Sequence, residues 1–556
     1  MEFFQTLQNK EDRYFAYFSM EVGLRAEMRT YSGGLGVLAG DTIKSFADRG
    51  IPAIAVTLLN EEGYFKQYID NEGRQTEGNA KWDKNHFLML LDTQVEVTIE
   101  GRPVKIQAWE IRIKGQSGFE MPVYFLDTDV EGNSEFDRNL TKHLYGGDLY
   151  YRLCQEIVLG IGGTRFLHAR GYNNLMRYHM NEGHAALLTV QLLHENGFDE
   201  EKTKKQCVFT THTPVAAGHD AFPEDMVKKA LGDFIPEHLY HEGKCNMTTL
   251  ALTLSHYVNG VAKKHGEVSQ QMFPQYNIDY ITNGVHSVTW THDAFKELFD
   301  KKLTSWRKDP HVLRYAVNLP LEDIWDAHVK AKQELIDYIN EKTGANYDVE
   351  TYTIGFARRA TGYKRMDLLF HNIETLKRIA NEKGKIQLVF AGKAHINDGE
   401  GKELIKRIWD MRLSLGDNIK LVFLEEYDMA LAHKLISGVD VWLNTPKRPL
   451  EASGTSGMKA AHNGVPSLSI LDGWWIEGYM KDITGWAIGT LEVDGYDDDT
   501  KDAESLYHLL EHEILPCYYE NRDEYIKIMR YSIAFNASFF NTSRMVAQYV
   551  ISAYLS

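Results

Sequence analysis

In the second half of the chain, short runs of consecutive apolar residues alternate with longer stretches of helical spacing. Thr353–Phe356, Ile386–Ala391, Ile419–Leu424, Val439–Leu443 and Ser467–Leu471 read as strands buried on both faces. Between them, Met366–Ala380, Glu403–Leu415 and the shorter Ala430–Ile436 set apolar residues three and four apart, as helices do. Alternating strands and helices of this kind predict a parallel sheet covered on both faces. Such sheets bind ligands beyond the carboxyl ends of their strands. Arg358, Lys393, Glu426, Asn444 and Asp472 all follow these strands, so they are expected to converge on one edge.

The first half is α/β as well, but less regular. Phe15–Met20 and Ile51–Leu59 read as strands with a helix, Leu38–Ala47, between them. Gln94–Ile113 alternates around Gly101-Arg102 as a hairpin, and Val123–Leu126 follows as a strand. Tyr150–His168 has helical spacing, and Cys207–Thr211 and Ile278–Thr282 look like further buried strands. There is no tandem repeat and no low-complexity linker, only an acidic loop over 494–502. At 556 residues the chain exceeds what one core usually holds, so two α/β domains are expected, residues 1–285 and 286–556.

Composition narrows the function classes. The formal charge of −17 argues against a general nucleic-acid binder, which needs a basic footprint. No apolar run reaches membrane-spanning length. Cys154, Cys207, Cys245 and Cys517 are spread without a CxxC pair, so a disulfide framework or zinc site is not expected. The first residues, MEFFQTLQNK, lack a basic segment followed by an apolar one, and a cytoplasmic protein is the expectation.

Two segments carry candidate anion chemistry. EASGTSGMK (Glu451–Lys459) places one lysine after a glycine- and hydroxyl-rich turn, with Met458 and Lys459 read as the first turn of a helix. Backbone N–H groups of Gly454, Thr455, Ser456 and Gly457, with the helix start, suit a phosphate. The lysine then suits either pairing with that phosphate or carrying a phosphorylated aldehyde such as pyridoxal phosphate. An ordinary Gly/Ser loop with a solvated lysine is the plain alternative. RRATGYKR (Arg358–Arg365) puts four cations in eight residues directly after a strand. Arginine forks with a lysine point charge are a usual phosphate-binding pair, and a solvated basic loop is the alternative.

Four further segments hold candidates. SGGLGVLAGD (Ser32–Asp41) opens a helix and can approach an anion through its backbone. HMNEGHAAL (His179–Leu187) holds Glu182 and His184 without HExxH spacing or an evident third ligand, so no metal is expected. FTTHTPVAAGHD (Phe209–Asp220) offers His212, and YITNGVHSVTW (Tyr280–Trp290) offers Asn283 and Trp290.

In their order along the chain, with YFSMEVGL (Tyr17–Leu24) and NGVPSLSILDGWWIEGY (Asn463–Tyr479), these segments resemble the α-glucan phosphorylases, the glycogen, starch and maltodextrin phosphorylase family, in its shorter bacterial and archaeal branch. The resemblance runs from about Tyr14 to about Tyr479. It implies a GT-B-like fold, two Rossmann-like domains facing a central cleft. The implied reaction is reversible, retaining phosphorolysis of an α-1,4-glucan or maltodextrin by inorganic phosphate, giving α-glucose 1-phosphate.

The resemblance also implies residue roles. Lys459 holds pyridoxal 5'-phosphate, with Gly454, Thr455, Ser456 and Trp290 beside the cofactor. Arg359 and Lys364 bind the substrate phosphate, with Arg358 near it. His212 lies beside the reacting sugar, its carbonyl near the anomeric centre. Asn283, Glu451, Ser453 and His184 contact the sugar, and Gly34, Leu35 and Gly36 line the phosphate and glucosyl pocket. A homodimer is implied, without the animal regulatory extension. The sequence departs from the larger enzymes at Thr361-Gly362, Ser456-Gly457 and Tyr145–Asp148. Two other classes stay open on the residues alone: a nucleotide-sugar GT-B transferase of the glycogen or starch synthase kind, and a glucan-binding protein without activity.

Overall fold

The computed structural model describes residues 12–215, 218–489 and 498–556. The chain divides into two compact α/β units. One comprises 1–65, 79–282 and 545–556; the other comprises 66–78 and 283–544.

The first unit is built on one mixed sheet. Its strands run Asp279–Tyr280, Tyr257–Gly260, Cys207–Thr210, Arg177–Asn181, Phe15–Ser19, Ala53–Leu58 and Glu120–Asp127, all parallel. The long strand Arg102–Lys114 then pairs antiparallel with Glu120–Asp127. Side chains alternate between the two faces of a strand. Ala16 and Phe18 accordingly join one apolar cluster, whereas Phe15 and Tyr17 join the other. On the second face the C-terminal segment closes the core: Tyr554 stacks on Phe15 at 4.7 Å, and its hydroxyl lies 2.7 Å from His179 Nδ1. The stretch read as one helix over 150–168 is helical from Leu149 to Ala169, with a wider turn at Val158–Gly162. A Cβ on Gly163 would stand 2.8 Å from Phe18, so glycine there lets this helix lie directly on the sheet.

The second unit holds a six-stranded, all-parallel sheet in the order Ile419–Leu424, Ile386–Ala391, Tyr352–Ala357, Val441–Asn444, Ser467–Ile470, Gly485–Ile488. The hairpin of Lys66–Ile69 and Gln75–Gly78 also packs in this unit. Its buried Gln67 donates to Gly392 O (2.7 Å), and Gln75 donates to Ala394 O (2.9 Å). The hairpin therefore pins the loop after one central strand.

Several readings change in detail: the buried strand expected at Ile278–Thr282 is only Asp279–Tyr280, with both residues exposed. The apolar spacing from Met366 is not one helix: a 3-10 turn spans Leu368–Phe370, and the α-helix runs Ile373–Lys383 behind an Asn372 cap. Lys459 is not in the first turn of its helix. That helix is Thr455–Ala461, and the lysine stands in its last turn. Gly454 starts it at φ 86°, a conformation glycine adopts without strain. The acidic 494–502 loop lies outside the described residues as far as 497; from Asp498 it caps and enters the helix Asp499–Leu509.

Candidate functional site

In the second unit, the loop after Tyr352–Ala357 and the loop 451–454 meet through one carboxylate. Glu451 Oε2 accepts from Arg358 Nη2 at 2.6 Å and from Lys364 Nζ at 2.8 Å, with all three side chains buried or nearly so. Arg358 also donates to Asn444 Oδ1 at the end of the neighbouring strand. Burial alone would raise the Glu451 carboxyl, but the two cations more than offset it and hold it at about 2. Arg359 is exposed on the same loop and outside this cluster; the cation sharing Glu451 with Lys364 is Arg358.

Asp472, after Ser467–Ile470, supports the 451 loop from behind. Its Oδ2 accepts the Glu451 N–H (2.9 Å), and its Oδ1 accepts the Gly473 N–H (2.9 Å). Trp474 N–H donates to Ser453 O (2.8 Å). Burial pushes the Asp472 carboxyl up to about 7; the two N–H donors oppose that and the Glu451 charge adds to it. The Trp474 ring also explains two glycines. A Cβ on Gly457 would lie 2.7 Å from it, and one on Gly454 3.2 Å.

Next along the chain, Lys459 Nζ lies 3.9 Å from the centroid of the Trp290 ring, and both residues are buried. Asn463 ties them together, donating to Trp290 O (2.8 Å) and to Lys459 O (3.1 Å). Ser456 Oγ accepts from the Trp442 indole (3.0 Å). The Ser453 hydroxyl and Asn283 Oδ1 are buried polar atoms with no hydrogen-bond partner. Asn283 is held through its carbonyl, which accepts from Arg544 (3.0 Å).

The first unit gathers its candidates at the carboxyl ends of Phe15–Ser19, Arg177–Asn181 and Cys207–Thr210. Gly34, Leu35 and Gly36 form the first turn of the helix Gly34–Arg49, and nothing lies within 4 Å of where a Gly34 Cβ would be. Glu21 anchors the approach: its Oε2 accepts the N–H of Ser32 (2.5 Å) and of Gly33 (3.2 Å), and its Oε1 accepts the Tyr145 hydroxyl (2.8 Å). His212 Nε2 lies 2.7 Å from Asn181 Oδ1. Withdrawal from water, with His265, His179 and His184 nearby, pushes His212 down to about 3, so its imidazole is neutral at physiological pH. His184 Nε2 stands 3.5 Å from Asp220, which also accepts from Arg152 (3.2 Å).

Residues 219–485 match the family model described as carbohydrate phosphorylase. The chain is 41% identical to the maltodextrin phosphorylase of Thermococcus litoralis, covering 99% of this chain and 72% of that protein. It is 36% identical to the glycogen phosphorylase of Aquifex aeolicus (99% and 88% covered) and 34% identical to that of Mycobacterium tuberculosis (96% and 70%). The chain belongs to the carbohydrate phosphorylase family.

As a carbohydrate phosphorylase it is an enzyme of the glycosyl-transferring type. Several residues of this phosphorylase escape motif reading. Glu21, Tyr145, Arg152 and Asp220 act on neighbouring side chains or on backbone, and Asn463 works through two carbonyls. None has a spacing that announces its partner. For Glu21 the signal available was position: like Asp472, it follows a buried parallel strand, where a carboxylate needs N–H donors to be tolerated. Among the described residues, no cluster of three or more His, Cys, Asp or Glu could hold a metal, and no helix is long and apolar enough to cross a membrane.

Proposed function

We propose that this chain is a pyridoxal-phosphate-dependent α-1,4-glucan phosphorylase that reversibly releases α-glucose 1-phosphate, with retention, from non-reducing ends. The observation that carries the reading is the joined cluster of the second unit. Arg358 and Lys364 share one Glu451 oxygen, and the Glu451 loop leads straight into the helix that holds Lys459 against Trp290. The relatives named maltodextrin and glycogen phosphorylase support an α-glucan substrate. The two α/β units then correspond to the two Rossmann-like domains of a GT-B glycosyltransferase. Three buried free thiols, Cys154, Cys207 and Cys245, suit a reducing, cytoplasmic setting.

The residues fit the cofactor. Lys459 offers a primary amine withdrawn from water beside an aromatic face, the setting in which a lysine takes an aldehyde. The orphaned Ser453 hydroxyl and Asn283 oxygen suit a polar ligand, and Gly454, Thr455 and Ser456 form the start of the lysine's helix. When bound, the cofactor supplies a second phosphate whose proton exchanges near neutral pH.

The chain's own groups do the rest. Lys364 and Arg358 bind the substrate phosphate and offset the repulsion between two phosphates, with Arg359 as a third, more exposed cation. Glu451 keeps Oε2 on those cations and turns its other oxygen to a sugar hydroxyl, while Asn283 takes another. In the first unit, neutral His212 presents its carbonyl to the positive charge that develops at the anomeric carbon, and its ring to the sugar 6-hydroxyl. His184 contacts the sugar, and Gly34, Leu35 and Gly36 turn backbone N–H groups to the anion. No pair of glycosidase-style carboxylates is required, because the phosphate delivers the proton to the leaving oxygen.

The test is phosphate-dependent formation of glucose 1-phosphate from maltodextrin, with mass analysis of borohydride-treated, digested protein. Phosphorolysis together with a pyridoxyl adduct on Lys459 is expected. A requirement for a nucleotide sugar, or no adduct after addition of pyridoxal phosphate, overturns the reading.

A further inference from the structure

Glu182 has the backbone conformation φ 74°, ψ 170°, a region essentially reserved for glycine. A buried, non-glycine residue persists there only when its surroundings over-determine it. The surroundings are explicit. Oε1 accepts the Gly183 N–H (3.0 Å); Oε2 accepts the His212 N–H (2.7 Å) and the Thr213 hydroxyl (3.0 Å). The Glu182 N–H itself donates to Thr210 O (2.9 Å).

The topology gives these contacts a purpose. Glu182 follows Arg177–Asn181, and His212 lies just beyond Cys207–Thr210, the parallel neighbour in which Thr210 pairs with Asn181. The carboxylate thus bridges the ends of two adjacent strands. Asn181 holds the His212 ring from the same strand end (2.7 Å) and is itself anchored to Ser19 Oγ (3.1 Å) on the next strand. The His212 peptide is therefore gripped at its N–H and its ring, which leaves its carbonyl little freedom to turn.

Burial raises the Glu182 carboxyl and its three hydrogen-bond donors oppose that, so its oxygens are engaged in holding backbone and Thr213. We propose that Glu182 is a positioning residue: it fixes the His212–Thr213 backbone for glycosyl transfer, and its strained conformation is what carries its carboxylate to that backbone. The inference rests on the phosphorylase reading. No isosteric replacement satisfies the geometry. Glutamine must turn its NH2 toward either His212 N–H or Gly183 N–H, a donor facing a donor. Aspartate is one methylene short.

The experiment compares Glu182→Gln, Glu182→Asp, Glu182→Ala and Glu182→Gly with the parent holoenzyme, reading kcat, KM for phosphate, cofactor absorbance and thermal midpoint. Lys459 lies in the other unit, so cofactor content is expected to stay at the parental level. Glutamine and aspartate are expected to lower kcat by about a hundredfold, the scale of an ångström-level misplacement, with KM for phosphate changed by less than about threefold. Glycine relieves the backbone strain, so it is expected to melt higher than alanine yet regain none of the lost kcat. Parental kcat in Glu182→Gln, or kcat rising with stability from alanine to glycine, overturns the proposal. A parent protein without phosphorolysis overturns the underlying reading instead, and is recognised before any variant is made.

Discussion

Lys459 Nζ lies 3.9 Å from the centre of the Trp290 ring, and Asn463 binds the backbone carbonyls of both residues. The pair is therefore held by the fold itself. Lys459→Arg keeps a cation over the indole but removes the amine. We expect this variant to melt within a few degrees of the parent and to carry no pyridoxyl mass after borohydride treatment. An adduct of unchanged yield would place the cofactor on another lysine.

The Glu451 carboxyl is held at about 2 against an ordinary 4.5. Its depressed value means that its stabilising contribution is full above pH 4.5 and is lost as pH falls from there toward 2. Glu451→Gln leaves Lys364 and Arg358 without their shared anion, a loss of about 3 kcal/mol at pH 7. Urea unfolding of parent and variant should show this gap at pH 7 and its narrowing below pH 4.5. A gap that is constant with pH would remove the carboxylate from the account.

Asp472 titrates in the opposite sense. Its carboxyl is raised from 3.8 to about 7, so between those values the folded chain holds a proton that the unfolded chain has released. Its contribution is present in full below pH 3.8 and falls as pH rises through 7. Asp472→Asn is expected to flatten the decline in unfolding free energy between pH 5 and 8, measured in urea. An identical slope in both proteins would show that Asp472 does not titrate in that window.

Gly40 and Gly34 share a helix but not an environment. A Cβ on Gly40 would lie 2.0 Å from Gly23 O, in the segment that carries Glu21, whereas one on Gly34 would meet nothing within 4 Å. Gly40→Ala should cost about 3 kcal/mol or more, because the obstacle is backbone and cannot rotate away. Gly34→Ala should keep the parental melting temperature while raising KM for phosphate, since in the proposed function its N–H faces the anion. Equal melting temperatures for the two variants would contradict the packing described.

The legible parts of the sequence were those set by local periodicity. Ile386–Ala391 and Ile419–Leu424 form with the bounds their runs predict, because apart from one polar residue in each, Gln387 and Lys420, they are apolar throughout and end against Gly392 and Glu425. The Lys459 helix starts at Thr455, three residues before the point its sequence predicts. Ser456 and Gly457 look like loop residues, yet their places in the helix are set by Trp442 and Trp474. The Lys66–Gly78 hairpin gave no sign that it packs in the second unit. Its buried Gln67 reads as a surface residue until its partner Gly392, 325 residues away, is seen.

The sequence by itself determined the chemistry available: a lysine after a Gly/Ser turn, a run of cations after a strand, a neutralisable histidine, and two α/β units to carry them. Tertiary structure alone decided which cation shares Glu451 with Lys364, what shields Lys459, and which buried carboxylates hold the loops. Periodicity is written into neighbouring residues, so the chain reveals it directly. A buried carboxylate or glutamine is tolerated only where distant N–H and carbonyl groups meet it, and folding alone brings those groups together.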